Sequence, residues 1–97
     1  MNVQRLETSV YCIPTDRPEA DGTLQWASTT LVVVEITADS GLRGVGFTYG
    51  SAAAATVIHE LLAEVVVGRG LHDVRGAWGA MIAAVRNAGR PGIAATA

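Results

Sequence analysis

The sequence contains no lysine, a single cysteine and no long uninterrupted apolar run. All seven cationic side chains among its 97 residues are arginines, which excludes a lysine base, a Schiff-base lysine or a phosphate-loop lysine within this chain. The one thiol, Cys12, has no partner for an internal disulfide, which is typical of a reducing, cytoplasmic setting. The longest mainly apolar stretch, Ala52 to Val67, contains His59, Glu60 and Glu64 and is too short to span a bilayer.

Charge is scarce as well. The formal net charge is -2 and only 16% of the residues are charged. The sequence therefore shows no basic face of the kind that binds nucleic acid. Residues 1–20 are no signal peptide, because charged residues are spread through them: Arg5, Glu7, Asp16, Arg17 and Glu19. The hydrophobic fraction of 49% is high for one small domain. We therefore expect an apolar face that is buried against a partner.

Three strands are predicted in the first half of the chain. Val3 to Ile13 forms the first and ends at Pro14, Ser28 to Ala38 forms the second, and Leu42 to Tyr49 forms the third. The Asp39-Ser40-Gly41 turn joins the last two as a hairpin. The stretch from Thr15 to Trp26 is polar and contains Pro18 and Gly22, which predicts a loop of about a dozen residues.

Helical spacing begins after the third strand. One apolar stripe is formed by Val57, Ile58, Leu61, Leu62, Val65 and Val66, and the helix ends at Gly68 and Gly70. A second helix from an N-cap at Asp73 to Asn87 has the stripe Val74, Ala77, Trp78, Met81, Ile82 and Val85. Gly89 suits a left-handed residue after a helix, and Pro91 the first turn of a third. The sequence predicts an α+β fold, a three-stranded antiparallel meander followed by a small helical bundle.

Two patterns with possible chemistry have plainer interpretations. Gly44, Gly46 and Gly50 have the spacing of a loosened dinucleotide fingerprint, but that fingerprint belongs to a parallel βαβ unit and these glycines lie on an antiparallel hairpin. They are better explained as glycines that let a helix approach the sheet. His59 and His72 are thirteen residues apart, which does not enforce a metal site, so a solvated His59 is favoured.

The predicted loop, Thr15 to Trp26, is the one stretch whose charged and aromatic residues suggest a binding function. Asp16, Arg17, Glu19, Asp21 and Trp26 on one connection suit closure over a polar ligand, although a plain solvated loop explains them too. They do not form a catalytic set, because no nucleophile is paired with a base. We therefore expect no catalytic residue and no metal ligand in this chain.

The chain resembles the N-terminal capping domain of the enolase superfamily, in its mandelate racemase and muconate lactonizing enzyme branch. The resemblance rests on TTLVVVEITADSGLRGVGFTYG, Thr29 to Gly50, and on RNAGRPGIAATA, Arg86 to Ala97. It implies one capping domain over residues 1–97, with the third helix and the barrel truncated after Ala97, and a C-terminal barrel domain of the same protein as its partner.

The resemblance also implies the chemistry of the parent enzyme. Mg²⁺ held by barrel carboxylates would stabilise an enediolate after a barrel base removes the proton α to a carboxylate, with racemase, cycloisomerase or acid-sugar dehydratase outcome. The first loop and the turn at 48–52 would cover the substrate, which assigns substrate binding to Asp16, Arg17, Glu19, Asp21, Trp26 and Tyr49. Packing roles for Trp26 and Tyr49 remain open.

A second hypothesis is a stand-alone cap-like interaction module without catalysis, paired with itself or with another chain. On either hypothesis we expect the parent or module in the cytoplasm, with neither nucleic acid nor a membrane as a partner, and a homo-oligomer is an open alternative. The polar loop favours a hydroxylated acid, such as a sugar acid, as the small carboxylate substrate of the parent enzyme.

Overall fold

The structure, a computed structural model, describes residues 1–20, 25–89 and 92–97, without the side chains at 16–20, 25, 26 and 96. Three strands precede all the helices: β1 Val3–Ala20, β2 Gln25–Ala38 and β3 Arg43–Tyr49. The helical part is α1 Ala53–Val57, a π-helical turn Ile58–Leu62, α2 Ala63–Val66, α3 Val74–Ala84 and α4 Ile93–Thr96. The predicted α+β order of a meander followed by helices is confirmed.

The strands form one antiparallel sheet in the order β1-β2-β3. The turn between β2 and β3 forms as predicted, with Gly41 at φ 92° and its N–H donating to the carbonyl oxygen of Ala38 at 2.9 Å. Strand side chains alternate between two faces. The inner face, which carries the buried Val32, packs under the helices, and the outer face carries Tyr11, Phe47 and Tyr49.

The predicted loop between the first two strands is wrong over most of its length. β1 continues past Pro14 to Ala20, and β2 already begins at Gln25. The pairing of these strands shifts register between Pro14 and Glu19, where the extra residues form an irregularity. Prolines are tolerated at such places because β1 is an edge strand. The two strands therefore extend as a ribbon well beyond the end of β3.

The first predicted helix is divided into three segments. Its apolar stripe faces the core as expected, but Ile58–Leu62 is π-helical between two short α-helices. The second helix has its predicted N-cap, since a carboxylate oxygen of Asp73 accepts from the N–H of Gly76 at 3.1 Å. It ends at Ala84 rather than at Asn87. Gly89 has the predicted left-handed φ of 85°, and Pro91 lies outside the described residues.

One hydrophobic core joins the inner face of the sheet to the helices. Its buried members are Val32, Ala54, Ala55, Ile58, Leu62, Val85 and Ala94. The start of the chain is fixed to the segment after α2, because Val3 N–H donates to the oxygen of Arg69 at 2.8 Å and Gly68 N–H donates to the oxygen of Val3 at 2.7 Å. The β1–β2 ribbon extends beyond this core from the end of the sheet at which Leu31 is opposite Tyr49.

Candidate functional site

The predicted substrate-binding residues lie toward one end of the sheet. Tyr49 is the last residue of β3 and is opposite Leu31 on β2, while β1 and β2 continue beyond that point. The backbones of Asp16, Arg17 and Glu19 lie on the ribbon strand β1, and that of Trp26 lies on β2. Asp21 lies outside the described residues. The fold therefore brings the ribbon and the end of β3 to the same side of the domain.

Tyr49 is the one predicted site residue whose side chain the structure describes. It is 61% exposed on the outer face and contacts Phe47 edge to face, with the ring centroids 5.9 Å apart at 80°. Its backbone leads directly into the helices, and Ser51 Oγ accepts a hydrogen bond from the N–H of Ala53 at 3.1 Å. Tyr49 is therefore not a core residue, and its ring is exposed on the outer face beside that of Phe47.

A second feature is an open groove between the sheet and α3, which we call the inter-layer groove. Its volume is about 410 Å³ and its walls are mostly apolar. The sheet side includes Val34, Ile36 and Gly46, the helical side includes Val74, Ala77, Trp78 and Met81, and Leu62 and Val66 lie at its base. An apolar concavity of this size on a small domain is typical of a docking or ligand surface.

The glycines on β3 do not have the role that the sequence predicted. A Cβ at Gly44 or at Gly46 would have no described heavy atom within 4 Å, so no helix of the described chain approaches them. Glycine weakens a strand interior unless something else comes close to its backbone. Gly46 instead lines the inter-layer groove, which leaves space beside the sheet.

The second helix stripe was placed correctly but is only partly covered. Val85 is buried, whereas Val74 and Trp78 are 71% and 61% exposed at the groove. Periodicity identifies the face of a helix but not whether another element covers all of it. The helix periodicity therefore does not predict the groove. The high hydrophobic fraction of the sequence does predict an apolar face that a partner would cover. The polar end of the groove is an ion pair between Arg69 and Asp73, at 3.0 Å.

The remaining candidates do not form a site in the described part of the chain. His59 is exposed and its Nε2 contacts Oγ1 of Thr8, and Cys12 is exposed on β1. Over residues 1–20, 25–89 and 92–97 no group of three or more His, Cys, Asp or Glu side chains could hold a metal ion. No helix in the same ranges is long and apolar enough to cross a membrane.

A three-stranded meander followed by helices, with an open apolar groove between the two layers, defines a small α+β domain. The sequence profile described as the mandelate racemase / muconate lactonizing enzyme N-terminal domain matches residues 6–97. The chain therefore belongs to this family of the enolase superfamily, as its resemblance implied. No curated protein matches the chain.

Solved structures agree with the family. A mandelate racemase/muconate lactonizing enzyme-like protein from Rubrobacter xylanophilus is 46% identical, with a TM-score of 0.92 over 98% of this chain and 26% of its own. A racemase from Streptomyces coelicolor A3(2) with bound magnesium is 30% identical, with a TM-score of 0.90 over 95% of this chain and 27% of its own. L-Talarate dehydratase from Polaromonas sp. JS666 shares the fold at 21% identity and a TM-score of 0.84, over 96% of this chain and 27% of its own. The chain spans about a quarter of the length of these structures.

Proposed function

We propose that residues 1–97 are the capping and substrate-specificity domain of a Mg²⁺-dependent enzyme that removes a proton α to a carboxylate. The outcome of the reaction would be racemisation, cycloisomerisation or dehydration of an acid sugar. The observation that carries the proposal is the inter-layer groove, an uncovered apolar surface on a domain whose relatives are about four times longer.

The groove supports a domain partner rather than a small polar ligand. Its walls expose Val74 and Trp78, whose burial against another protein layer would remove a large apolar area from water. The open space above Gly44 and Gly46 admits a close approach by another backbone. We assign the groove to the C-terminal barrel domain of the same protein, which is also where the chemistry would take place.

The ribbon and the end of β3 would act on the substrate. Asp16, Arg17, Glu19 and Trp26 of the ribbon, Asp21 of the same sequence stretch and Tyr49 at the end of β3 would cover the barrel mouth, exclude water and contact the distal part of a small carboxylate. Their polar character favours a hydroxylated acid. Tyr49 contributes an exposed hydroxyl on a ring that Phe47 supports.

Magnesium is assigned to the barrel and not to this chain. The described residues offer no cluster of carboxylates or imidazoles with which to hold it. In the Streptomyces racemase structure magnesium is bound, and that chain is nearly four times as long as the part matched here. Bound in the barrel, the ion would stabilise the charge that develops on the substrate carboxylate. We place the parent enzyme in the cytoplasm, because the one thiol of this chain, Cys12, has no partner for an internal disulfide.

The test compares the protein isolated from its native source with the 97-residue chain. We expect a native mass several times 10.0 kDa and Mg²⁺-dependent incorporation of deuterium from D₂O at the α-carbon of hydroxy acids, followed by NMR. The chain alone should catalyse no exchange. A native mass of 10.0 kDa, or exchange by the chain alone, would contradict the proposal.

The specificity role is tested in the native-length enzyme by Arg17→Ala and Tyr49→Ala. Each loses a polar contact with the distal part of the substrate, so KM should rise about tenfold while kcat changes much less. Arg75→Ala is the matched control, since Arg75 is exposed on α3. If KM is unchanged in both variants, the ribbon and β3 do not set specificity, even when exchange activity supports the rest of the proposal.

The second candidate is a stand-alone interaction module without catalysis. It is favoured by the same groove if the native mass is 10.0 kDa, because the apolar face must then be covered by another molecule. A defined oligomer of the native protein would support it. A native protein of larger mass with exchange activity would exclude it.

A further inference from the structure

The free side of β3 is a sheet edge that no strand in the described ranges covers. β3 contains no proline, its one charged residue is Arg43 at its start, and its register with β2 is continuous from Arg43 to Tyr49. Proteins usually interrupt such an edge with a bulge, a charge or a proline to prevent pairing with another strand. The opposite edge, β1, has register shifts and the Arg5–Glu7 ion pair.

The hydrogen-bond phase of β3 follows from two bonds at its ends. Ala38 N–H donates to the oxygen of Leu42 at 2.8 Å, and Gly50 N–H donates to the oxygen of Thr30 at 3.1 Å. In an antiparallel pair, hydrogen-bonded residues alternate with non-hydrogen-bonded ones. The even-numbered residues of β3 therefore bond to β2. The N–H and C=O groups of the odd-numbered residues point away from the sheet: Arg43, Val45, Phe47 and Tyr49.

These outward groups are complementary to a second β3. In an antiparallel pair centred on Gly46, Arg43 is opposite Tyr49 of the other copy and Val45 is opposite Phe47, so all four odd-numbered residues bond. Gly46 is then opposite itself in a non-hydrogen-bonded pair, where the Cα atoms approach to about 4.5 Å. A Cβ at Gly46 would have open space in the single chain. Registers shifted by two residues lose one or more of the bonded pairs.

The side chains fit this register too. Arg43, the only charged residue of β3, is placed beside the exposed ring of Tyr49, an arrangement that favours a cation–π contact. The two Arg43 residues are separated by six positions along the sheet, about 20 Å, so their repulsion is screened. Val45 and Phe47, 68% and 67% exposed, form a continuous outer surface with their counterparts.

We propose that a second copy of this chain pairs along β3 about a two-fold axis at Gly46, forming a six-stranded antiparallel sheet. The interface uses the backbone edge of β3, whose Gly46 also lines the inter-layer groove, and it does not involve the ribbon. The proposal does not depend on the capping role. The partner is recognised by backbone hydrogen bonds in a fixed register, with Arg43 and Tyr49 at its ends.

Cross-linking tests the register directly. In a Cys12→Ser background, Gly46→Cys places two thiols opposite each other at a Cα separation suited to a disulfide. Gly44→Cys is the matched control, since the two positions 44 would be about 14 Å apart in this register. We expect mild oxidation to give a covalent dimer for Gly46→Cys and not for Gly44→Cys, on non-reducing electrophoresis of the folded 97-residue chain. Cross-linking of neither, or of both equally, would overturn the proposal.

Sedimentation of Val45 variants tests the edge bonds without a cross-link. Val45→Pro removes an outward N–H while leaving the bonds to β2, and Val45→Thr keeps the N–H and the side-chain shape. We expect the dimer dissociation constant to rise at least about tenfold for Val45→Pro and to change little for Val45→Thr. A monomeric parent chain, or a dimer that Val45→Pro does not weaken, would reject β3 as the interface. Circular dichroism confirms that each variant is folded.

Discussion

At the scale of single residues, Asp73 joins two helices through one carboxylate. One oxygen accepts from the N–H of Gly76 at 3.1 Å and the other from Nη1 of Arg69 at 3.0 Å, while Nε of Arg69 donates to the oxygen of Val65 at 2.9 Å. A Cβ at Gly76 would collide with the capping oxygen of Asp73. Gly76→Ala should therefore displace the cap and lose about 1 kcal/mol from it, which offsets the gain in helix propensity.

The matched control for Gly76→Ala is Gly79→Ala in the same helix. A Cβ at Gly79 would meet nothing within 4 Å, so this variant should gain about 1 kcal/mol in free energy of unfolding from helix propensity alone. Urea denaturation of both variants measures the difference, expected to be about 1 kcal/mol in favour of Gly79→Ala. Equal stabilisation of the two variants would mean that the Asp73 cap contributes nothing.

At the scale of elements, the ribbon shows what the sequence could not predict. The strands at Ser28 to Ala38 and Leu42 to Tyr49 were predicted because they alternate over a buried face or carry β-branched residues. Beyond Pro14 the two strands pair with each other but have no third strand beside them. Strands that no third described strand borders have less need of apolar alternation, so the polar, proline-containing sequence of this stretch predicts a loop. For the same reason, the sequence does not predict that Asp16, Arg17, Glu19 and Trp26 lie on one two-stranded ribbon.

Hydrogen exchange tests this view of the ribbon. Val33 and Glu35 on β2 lie between two strands, whereas Thr29, which is opposite Ile13, lies beyond the end of β3. The N–H groups of all three point toward β1, because the even-numbered residues of β2 bond to β3. A two-stranded ribbon is marginally stable by itself, so the amide of Thr29 should exchange through local opening and much faster than those of Val33 and Glu35. NMR-detected exchange at neutral pH makes the comparison. Similar protection at the three positions would show that the ribbon is held by contacts beyond its own pairing.

The π-helical turn is a second difference between the structure and the predicted elements, and the spacing of the apolar residues contains a weak signal for it. The first helix stripe repeats at strict intervals of four: Val57, Leu61 and Val65, with Ile58, Leu62 and Val66. In an α-helix this spacing drifts by about 40° for each step. A π turn has more residues per turn than an α-helix, and its insertion at Ile58–Leu62 returns the stripe to the core, where Ile58, Leu62 and Val66 are buried.

At the scale of the whole molecule, both the composition and the structure indicate that this chain exposes apolar surface. The 49% hydrophobic content is more than the core of this chain buries. Part of the exposed remainder forms two surfaces, the inter-layer groove with Trp78 and Val74 and the outer face with Phe47 and Tyr49. The groove lies on the helical side of the sheet, and we assign it to the barrel domain. The outer face lies on the other side, and pairing through β3 would extend it across two copies without covering it.

The groove is tested by dye binding to the 97-residue chain. An environment-sensitive apolar dye should bind there, and Trp78→Gln should weaken its affinity by about tenfold because an indole supplies a large contact area. Leu42→Gln is the control, since Leu42 is 60% exposed in the β2–β3 turn outside the groove. Both side chains are largely exposed, so neither variant should unfold the chain. If the two variants bind dye equally, or the chain binds none, the groove is not an accessible apolar surface, and the argument for a covering domain loses its structural support. In a native-length enzyme the covered groove should bind no dye.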